Sequence, residues 1–138
     1  MDFLYQDPYP ILKDDTTYKK LTSDFVKIEQ LGDREILVVD PKGLELLAQE
    51  AMDDVSFMLR SAHLQKLRNI IEDPEATDND RFVAYNLLQN ASIAVEGQLP
   101  SCQDTGTAIV VAKKGENVYT GVDDGEWLSK GIFNTYQN

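Results

Sequence analysis

The chain has 138 residues, of which 42% are hydrophobic, and its 13 basic and 24 acidic side chains give a net charge of −11. This length and composition predict one compact domain and exclude a disordered chain. The acidic surplus argues against nucleic acid or anionic membrane as the main partner, because the only adjacent basic pairs, Lys19-Lys20 and Lys113-Lys114, are isolated.

The cysteine and histidine content restricts the chemistry further. With one Cys and one His, the chain cannot close an internal disulfide or build a zinc site from those two residue types. The first residues include acids and no basic region, and no apolar stretch is long enough to span a bilayer. We therefore expect a soluble, cytoplasmic protein.

The N-terminal part of the chain is predicted to be mostly extended. The first 23 residues contain two prolines and no sustained hydrophobic period, which is typical of an arm that lies on a larger structure. Two short β-type runs follow at 25–28 and 35–39, and they are separated by a turn that contains glycine. This spacing predicts a β-hairpin.

A first helix is predicted directly after the hairpin. Asp40 is a typical N-cap residue, and Pro41 suits the first helical position, where its missing N–H costs nothing. Apolar residues then recur at helical spacing through Leu59. This pattern indicates a helix with one buried face.

Two more helices are expected before residue 97. The second runs from about His63 to Ile71, where an Asp-Pro pair stops it. Thr77 with Asp80 resembles a capping box at the start of the third helix, and Gly97 is a candidate C-cap glycine.

The last part of the chain changes character. A polar loop occupies Leu99–Thr107, and the following run Ala108–Ala112 is wholly apolar, which predicts a strand buried on both faces. A further β-type run lies at 118–120, and a last helix is expected with Asp123 or Asp124 as its cap.

These elements predict an α+β fold, with a helical body over about 41–96 and a few strands near each end. The alternation of elements is too irregular for a doubly wound sheet. We expect 1–138 to form one domain, which comprises the arm (1–23), the hairpin and helices (24–97), and the loop, strands and last helix (98–138). Large apolar residues continue almost to the last residue, which indicates a fragment of a longer chain.

The arm and the last helix are expected to pack on structure that lies outside this chain. In that case the surface around Trp127 and Phe133 would be exposed in the fragment, and the fragment would tend to self-associate.

Three features allow both a functional and a structural interpretation. His63 fits a catalytic base, although a lone His is more often a surface or capping residue. Trp127 with Phe133 and Tyr136 fits a stacking platform, although such spacing more often builds a core or an interface. Adjacent carboxylates fit a cation site but are more often solvated faces or helix caps, and they occur as Asp14-Asp15, Asp53-Asp54 and Asp123-Asp124.

The loop Leu99–Thr107 is the strongest candidate site. It gathers a thiol, an amide, a carboxylate and two hydroxyls around Gly106, and polar loops beside rigid elements often bind ligands. Composition alone leaves Cys102 open to interpretation as a buried structural thiol, because free Cys usually packs as a small hydrophobe. A catalytic pair with the distant His63 also stays open.

This loop carries a resemblance to a known family. Together with Gly131–Tyr136, the stretch Leu99-Pro100-Ser101-Cys102-Gln103-Asp104-Thr105-Gly106-Thr107-Ala108 closely resembles the N-terminal domain of class I, iron-sulfur-dependent, single-chain fumarate hydratases. Further segments match the same family: Lys13–Thr16, Leu46–Ala51, Ser56–Arg60, Glu72–Ala76, Lys113–Gly115 and Thr120–Gly121. The resemblance covers the chain from about Tyr5 onward.

The resemblance implies a [4Fe-4S] cluster held by three cysteines, of which Cys102 matches the first. One iron is left open to substrate and serves as a Lewis acid. Gln103 and Asp104 match residues that contact the dicarboxylate: Gln103 would donate to a carboxylate oxygen, and Asp104 would bind the hydroxyl side or take part in proton transfer. Thr105 and Thr107 are secondary candidates, as hydroxyl donors to the cluster sulfurs or to the loop backbone.

The chain departs from the family in one respect. The other two cluster cysteines, the basic residues that clamp the carboxylates and further acid/base groups all lie beyond the part of the family covered here. One thiolate cannot retain a cubane cluster, so we expect the 138-residue chain alone to lack the cluster and to be inactive.

For the full-length protein, the resemblance implies a cytoplasmic, homodimeric hydro-lyase of the tricarboxylic acid cycle that interconverts fumarate and (S)-malate. Two alternatives stay open. One is a related iron-sulfur hydro-lyase that acts on tartrate or mesaconate. The other is a non-enzymatic, acidic interaction domain in which Cys102 is structural.

Overall fold

The computed structural model describes residues 3–10, 17–102 and 107–137. Helices and strands alternate irregularly along this part of the chain, so the fold is α+β, as the sequence predicts. The elements are β1 (Val26–Leu31), β2 (Arg34–Val39), α1 (Pro41–Phe57), α2 (Ser61–Glu72), α3 (Asp78–Ala94), β3 (Val118–Tyr119) and α4 (Asp124–Gln137). The described residues before 23 form no helix or strand, and the extended arm stays a prediction.

The predicted hairpin is confirmed. Strands β1 and β2 pair antiparallel, from Val26 opposite Val39 to Leu31 opposite Arg34. Gly32 in the turn has φ +64, a left-handed conformation that glycine adopts without steric cost. The short strand β3 then pairs parallel with β2, which gives a three-stranded sheet in the order β1-β2-β3.

Helix α1 begins as predicted. The side chain of Asp40 accepts a hydrogen bond of 2.9 Å from the backbone N–H of Lys42, and Pro41 occupies the first turn. The helix ends at Phe57, two residues earlier than its hydrophobic spacing suggests, because Met58 has extended backbone angles. Helix α2 starts at Ser61, slightly before the predicted start.

The capping box of α3 is also confirmed. The backbone N–H of Asp80 donates to Thr77 Oγ1 at 3.2 Å, and the N–H of Thr77 donates to Asp80 Oδ2 at 2.9 Å. The Thr77 hydroxyl and then the Thr77 N–H lower the pKa of Asp80, because both donate to its carboxylate. At the other end Gly97 has φ +74 and donates to Ala94 O at 2.9 Å, so the candidate glycine does terminate the helix.

Helices α1 and α4 pack closely, and Gly131 makes this possible. A Cβ atom at this position would lie 2.2 Å from Glu45 O and 2.8 Å from Ala48 Cβ. On the next turn Asn134 Nδ2 donates to Glu45 Oε1 at 2.9 Å, and Thr135 Oγ1 donates to Gln49 O at 2.9 Å. The segment near the end of the chain that carries part of the family resemblance therefore forms a helix–helix interface.

The core of the described residues consists mostly of small side chains. The buried apolar residues are Ala48, Leu67, Ala84 and Ala94. Helix α2 packs on α3, and α3 also touches α1, so the helices share this thin core. None of the helices in the described ranges has both the length and the apolar character that crossing a bilayer requires.

The strand predicted at Ala108–Ala112 is wrong. These residues form no strand, and their large side chains face solvent: Ile109 is 82% exposed and Val111 is 63% exposed. A strand forms where a neighbour pairs with its backbone N–H and C=O groups, and the sheet in the described residues offers none to this run. The apolar composition is present, but the described part of the chain leaves its large side chains exposed.

Candidate functional site

In the cysteine loop (Leu99–Thr107), two helices hold the backbone at Ser101 and Cys102. The N–H of Ser101 donates to Ser56 O, near the end of α1, at 2.7 Å. The N–H of Cys102 donates to Asn90 Oδ1 on α3 at 2.9 Å, and Ser101 Oγ donates to the same oxygen at 3.4 Å. Contacts from two helices therefore fix the residues immediately before the Gln-Asp-Thr-Gly sequence.

Cys102 is a free and exposed thiol. The buried position beside it belongs to Ser101, which is 3% exposed. The interpretation of Cys102 as a buried structural residue is therefore wrong for this chain, because the fold buries its neighbour and turns the cysteine residue to the surface. An exposed thiol can ligate a metal or a cluster once further ligands are supplied.

The structure describes only one of the other candidate residues in the loop. Gln103, Asp104 and Thr105 lie outside the described residues, so their implied roles stay predictions. Thr107 is described and exposed. It lies at the far end of the loop, and its secondary role also stays a prediction.

The structure describes His63 and two of the three carboxylate pairs. His63 is exposed in the first turn of α2. Asp123 caps α4, because its Oδ1 accepts from Gly125 N at 2.9 Å. Asp53 is exposed on α1, and the pair Asp14-Asp15 lies outside the described residues. Among the residues that the structure does describe, no group of three His, Cys, Asp or Glu side chains could hold a metal ion.

The two lysine pairs are not isolated in space, and this corrects the sequence interpretation. All four line one groove of about 540 Å³ between the arm, the hairpin, α1 and the segment before β3. Its apolar floor includes Phe25, Leu44, Leu47 and Leu128. The pairs come together because the arm and the segment before β3 approach the same side of α1.

Carboxylates balance most of this positive charge. Lys19 pairs with Glu50 at 3.6 Å, Lys113 pairs with Asp7 at 2.5 Å, and Lys114 pairs with Asp124. Lys113 holds the pKa of Asp7 below its ordinary value, with a smaller contribution from a backbone N–H. Because these lysines are paired, the groove does not create the strong basic patch that a polyanion would need.

Two side chains outside α4 stabilise its start by donating hydrogen bonds to Asp124. Lys114 donates to Asp124, and the Thr120 hydroxyl donates to the other carboxylate oxygen. Both donors favour the ionised form, so the pKa of Asp124 lies below its ordinary value, with Lys114 as the larger cause. Thr120 is 8% exposed, which makes it one of the few buried polar residues in the described ranges.

The aromatic residues of α4 do not form a single platform. Trp127 is partly exposed, and Lys130 Nζ lies 4.0 Å from its ring centroid, a cation–π contact. Phe133 and Tyr136 are more than half exposed. The expected apolar exposure is therefore clear at Phe133 and partial at Trp127.

Comparison with known proteins identifies the family. A family model described as "Fumarate hydratase (Fumerase)" matches residues 45–138. The chain is 54% identical, over 134 residues, to "Fumarate hydratase class I, anaerobic" from Escherichia coli strain K12, a match that covers 97% of this chain. It is 52% identical over the same length to "Fumarate hydratase class I, aerobic" from Salmonella typhimurium. The chain belongs to the class I fumarate hydratase family, and the resemblance seen in its sequence is confirmed.

The matches extend beyond bacteria but cover only part of each relative. "Fumarate hydratase 1, mitochondrial" from Leishmania major is 49% identical over 125 residues. That match covers 89% of this chain and 23% of the relative, and the match to the Escherichia coli protein covers 24% of it. The chain therefore spans about a quarter of the length of these relatives.

Asn90 is a residue of this site that the sequence does not predict. It lies twelve residues before Cys102 on α3, where the helical pattern gives no sign that its side chain faces a later loop. Its polar side chain is partly buried in the fold, which the sequence alone does not reveal.

Proposed function

We propose that this chain is the N-terminal part of an iron-sulfur fumarate hydratase, which interconverts fumarate and (S)-malate when the whole polypeptide is present. The observation that carries the proposal is the exposed Cys102 at the head of a Cys-Gln-Asp-Thr-Gly loop, in a chain more than half identical to class I enzymes. We also propose that the full-length enzyme is a homodimer, works in the cytoplasm and contributes to the tricarboxylic acid cycle.

The residues present fit one corner of a [4Fe-4S] cluster. Cys102 supplies an accessible sulfur, the ligand type that such clusters use, and the backbone at its position is held by α1 and α3. The cluster would supply an iron that binds the substrate's carboxylate and hydroxyl oxygens as a Lewis acid. The remaining cysteines would come from the rest of the enzyme, and the 138-residue chain alone would be inactive.

The residues after Cys102 would act on the substrate. Gln103 would donate hydrogen bonds from its amide to one carboxylate oxygen of the dicarboxylate. Asp104 would accept from the substrate hydroxyl and take part in moving its proton, because a carboxylate is a poor partner for a second carboxylate. Thr105 and Thr107 would support the loop backbone or donate to sulfur.

The test uses the full-length polypeptide that contains this chain, reconstituted with iron and sulfide without oxygen. The wild-type enzyme should hydrate fumarate, and Cys102→Ser should lose both bound iron and turnover. His63→Gln is the control, because His63 is exposed on α2. Full activity in Cys102→Ser would refute the cluster assignment, and loss of activity in His63→Gln would support a Cys–His pair instead.

The substrate is tested on the same preparations with fumarate, mesaconate and tartrate. We expect the highest kcat/KM with fumarate. A preference for tartrate or mesaconate would keep the hydro-lyase chemistry and change the substrate. Iron bound stoichiometrically to the 138-residue chain, with turnover, would contradict the prediction that the rest of the enzyme is required.

A further inference from the structure

The start of the cysteine loop depends on one side chain outside the loop. Asn90 Oδ1 accepts two hydrogen bonds, one from Cys102 N at 2.9 Å and one from Ser101 Oγ at 3.4 Å. An amide oxygen has two lone-pair directions, so one Asn can serve both donors. The geometry links the cysteine backbone to α3 through a single atom.

Because Ser101 is buried, its hydroxyl depends on the Asn90 oxygen as its hydrogen-bond partner. Ser101 is 3% exposed, so water cannot easily replace the partner of its hydroxyl. Its N–H is already used by Ser56 O on α1. Without the Asn90 oxygen, Ser101 would keep one anchor through its N–H, and the N–H of Cys102 would lose the partner that now holds it.

Helix α3 is a suitable support for a precise position. Its N-terminus is closed by a capping box, its C-terminus by Gly97, and Ala84 and Ala94 pack it into the core. Groups mounted on a packed helix are held more precisely than groups on a loop. Asn90 transfers this rigidity to a residue that is itself exposed.

We propose that Asn90 is a positioning residue that fixes the backbone of Cys102 before any iron is bound, so that the thiol is presented at a preset place for the cluster. The role of the thiol in this proposal rests on the proposed function. Asn90 acts through Cys102 and does not touch the substrate.

The first test measures hydrogen exchange of the peptide containing Ser101 and Cys102 in the iron-free, full-length polypeptide. Asn90→Ala should speed exchange in this peptide roughly 2- to 10-fold, because the Cys102 N–H, the backbone amide that Asn90 holds, loses its hydrogen bond. Asn90→Asp keeps an acceptor and should retain most of the protection. Asn86→Ala is the matched control on the same helix, since Asn86 Nδ2 donates to Phe82 O one turn earlier on α3 itself.

The second test uses the cluster as a probe after anaerobic reconstitution. Asn90→Ala should lower the iron retained per chain and broaden the electron paramagnetic resonance signal of the reduced cluster, whereas the Asn86→Ala protein should match wild type. Exchange in α1 peptides away from the loop should stay unchanged in all variants, which separates a local effect from failure to fold.

The outcomes separate this proposal from the proposed function. Unchanged exchange at Ser101 and Cys102 in Asn90→Ala would overturn the positioning role, whatever the enzyme does. Faster exchange in Asn90→Ala with no iron bound by the wild type would support the backbone anchor and refute the cluster. An equally large effect in Asn86→Ala would also overturn the proposal, because the effect would then belong to α3 as a whole.

Discussion

Gly131 shows how a single residue decides a helix contact. The Glu45 carbonyl oxygen occupies the space that a side chain at this position would need, so α4 can approach α1 only with glycine there. Glycine weakens a helix by about 1 kcal/mol relative to alanine, and the close packing offsets this cost.

We predict that Gly131→Ala destabilises the chain by roughly 1–3 kcal/mol, because the new methyl group forces the two backbones apart. The measurement is the urea midpoint of unfolding. Gly125→Ala in the same helix is the control: its Cβ would meet the Asp123 carboxylate at 3.2 Å and would not approach the backbone of another helix. A Gly131→Ala protein as stable as wild type would contradict the packing described for α1 and α4.

A second residue-scale prediction concerns Asp124. Its pKa lies below the ordinary value of 3.8, because Lys114 and then Thr120 donate to the ionised form. A lowered pKa in the folded state gives stability that is present above the unfolded value and is lost as pH falls through the folded value.

Stability should therefore fall as the pH is lowered below 3.8. In Asp124→Asn part of this pH dependence should disappear, and Asp53→Asn on the exposed side of α1 controls for the lost charge. The check is a comparison of urea midpoints at about pH 6 and about pH 3. Identical pH profiles for wild type and Asp124→Asn would show that the Lys114 contact contributes nothing.

At the scale of elements, local signals were sufficient for most of the fold. Asp40 before Pro41, and Thr77 before Asp80, identify helix starts because each cap is made by residues close in sequence. The strand prediction for Ala108–Ala112 failed because strand formation depends on a neighbour that composition cannot supply. The groove of four lysines and the role of Asn90 were missed for the same reason: both depend on segments brought together by folding.

The α1–α4 interface provides the prediction for this scale. Asn134 Nδ2 donates to Glu45 Oε1 at 2.9 Å and to Gln49 Oε1 at 3.3 Å. Asn134→Ala should cost about 1–2 kcal/mol through these lost bonds. Asn134→Asp should cost more at neutral pH, because it places a carboxylate against Glu45.

Denaturant unfolding of both variants checks this order. Ser129→Ala is the control, since its hydroxyl donates to Gly125 O within the same helix. If Asn134→Asp proved as stable as Asn134→Ala, the contact with Glu45 would not exist in solution.

The whole molecule exposes more solvent-accessible surface than a compact monomer of the same mass. Its accessible surface is 11246 Å². A compact monomer of 15.6 kDa is expected to expose roughly 7,250 Å². Large apolar side chains account for part of the excess, notably Ile109, Val111 and Phe133. The chain matches about a quarter of the length of its relatives, and in those relatives the remaining polypeptide would cover such a surface.

The isolated 138-residue chain should therefore self-associate as its concentration rises. Analytical ultracentrifugation should show this association, and Ile109→Lys should reduce it. Asn117→Lys adds the same charge at an exposed position without removing apolar surface, so it is the control. A strict monomer over a wide concentration range would show that the exposed run Ala108–Ala112 does not drive association.

The number of residues between two contacting side chains affects the order in which the chain folds during synthesis. Thr135 and Gln49 are 86 residues apart, so α1 cannot be covered by α4 until almost all of these residues have left the ribosome. Cys102 and Asn90 are only 12 residues apart. Because short loops close at lower entropic cost than long ones, the cysteine should be anchored to α3 while α1 is still uncovered. Pulse-labelling exchange during refolding should accordingly protect Cys102 before α1, so the presentation of the thiol would precede completion of the fold around it.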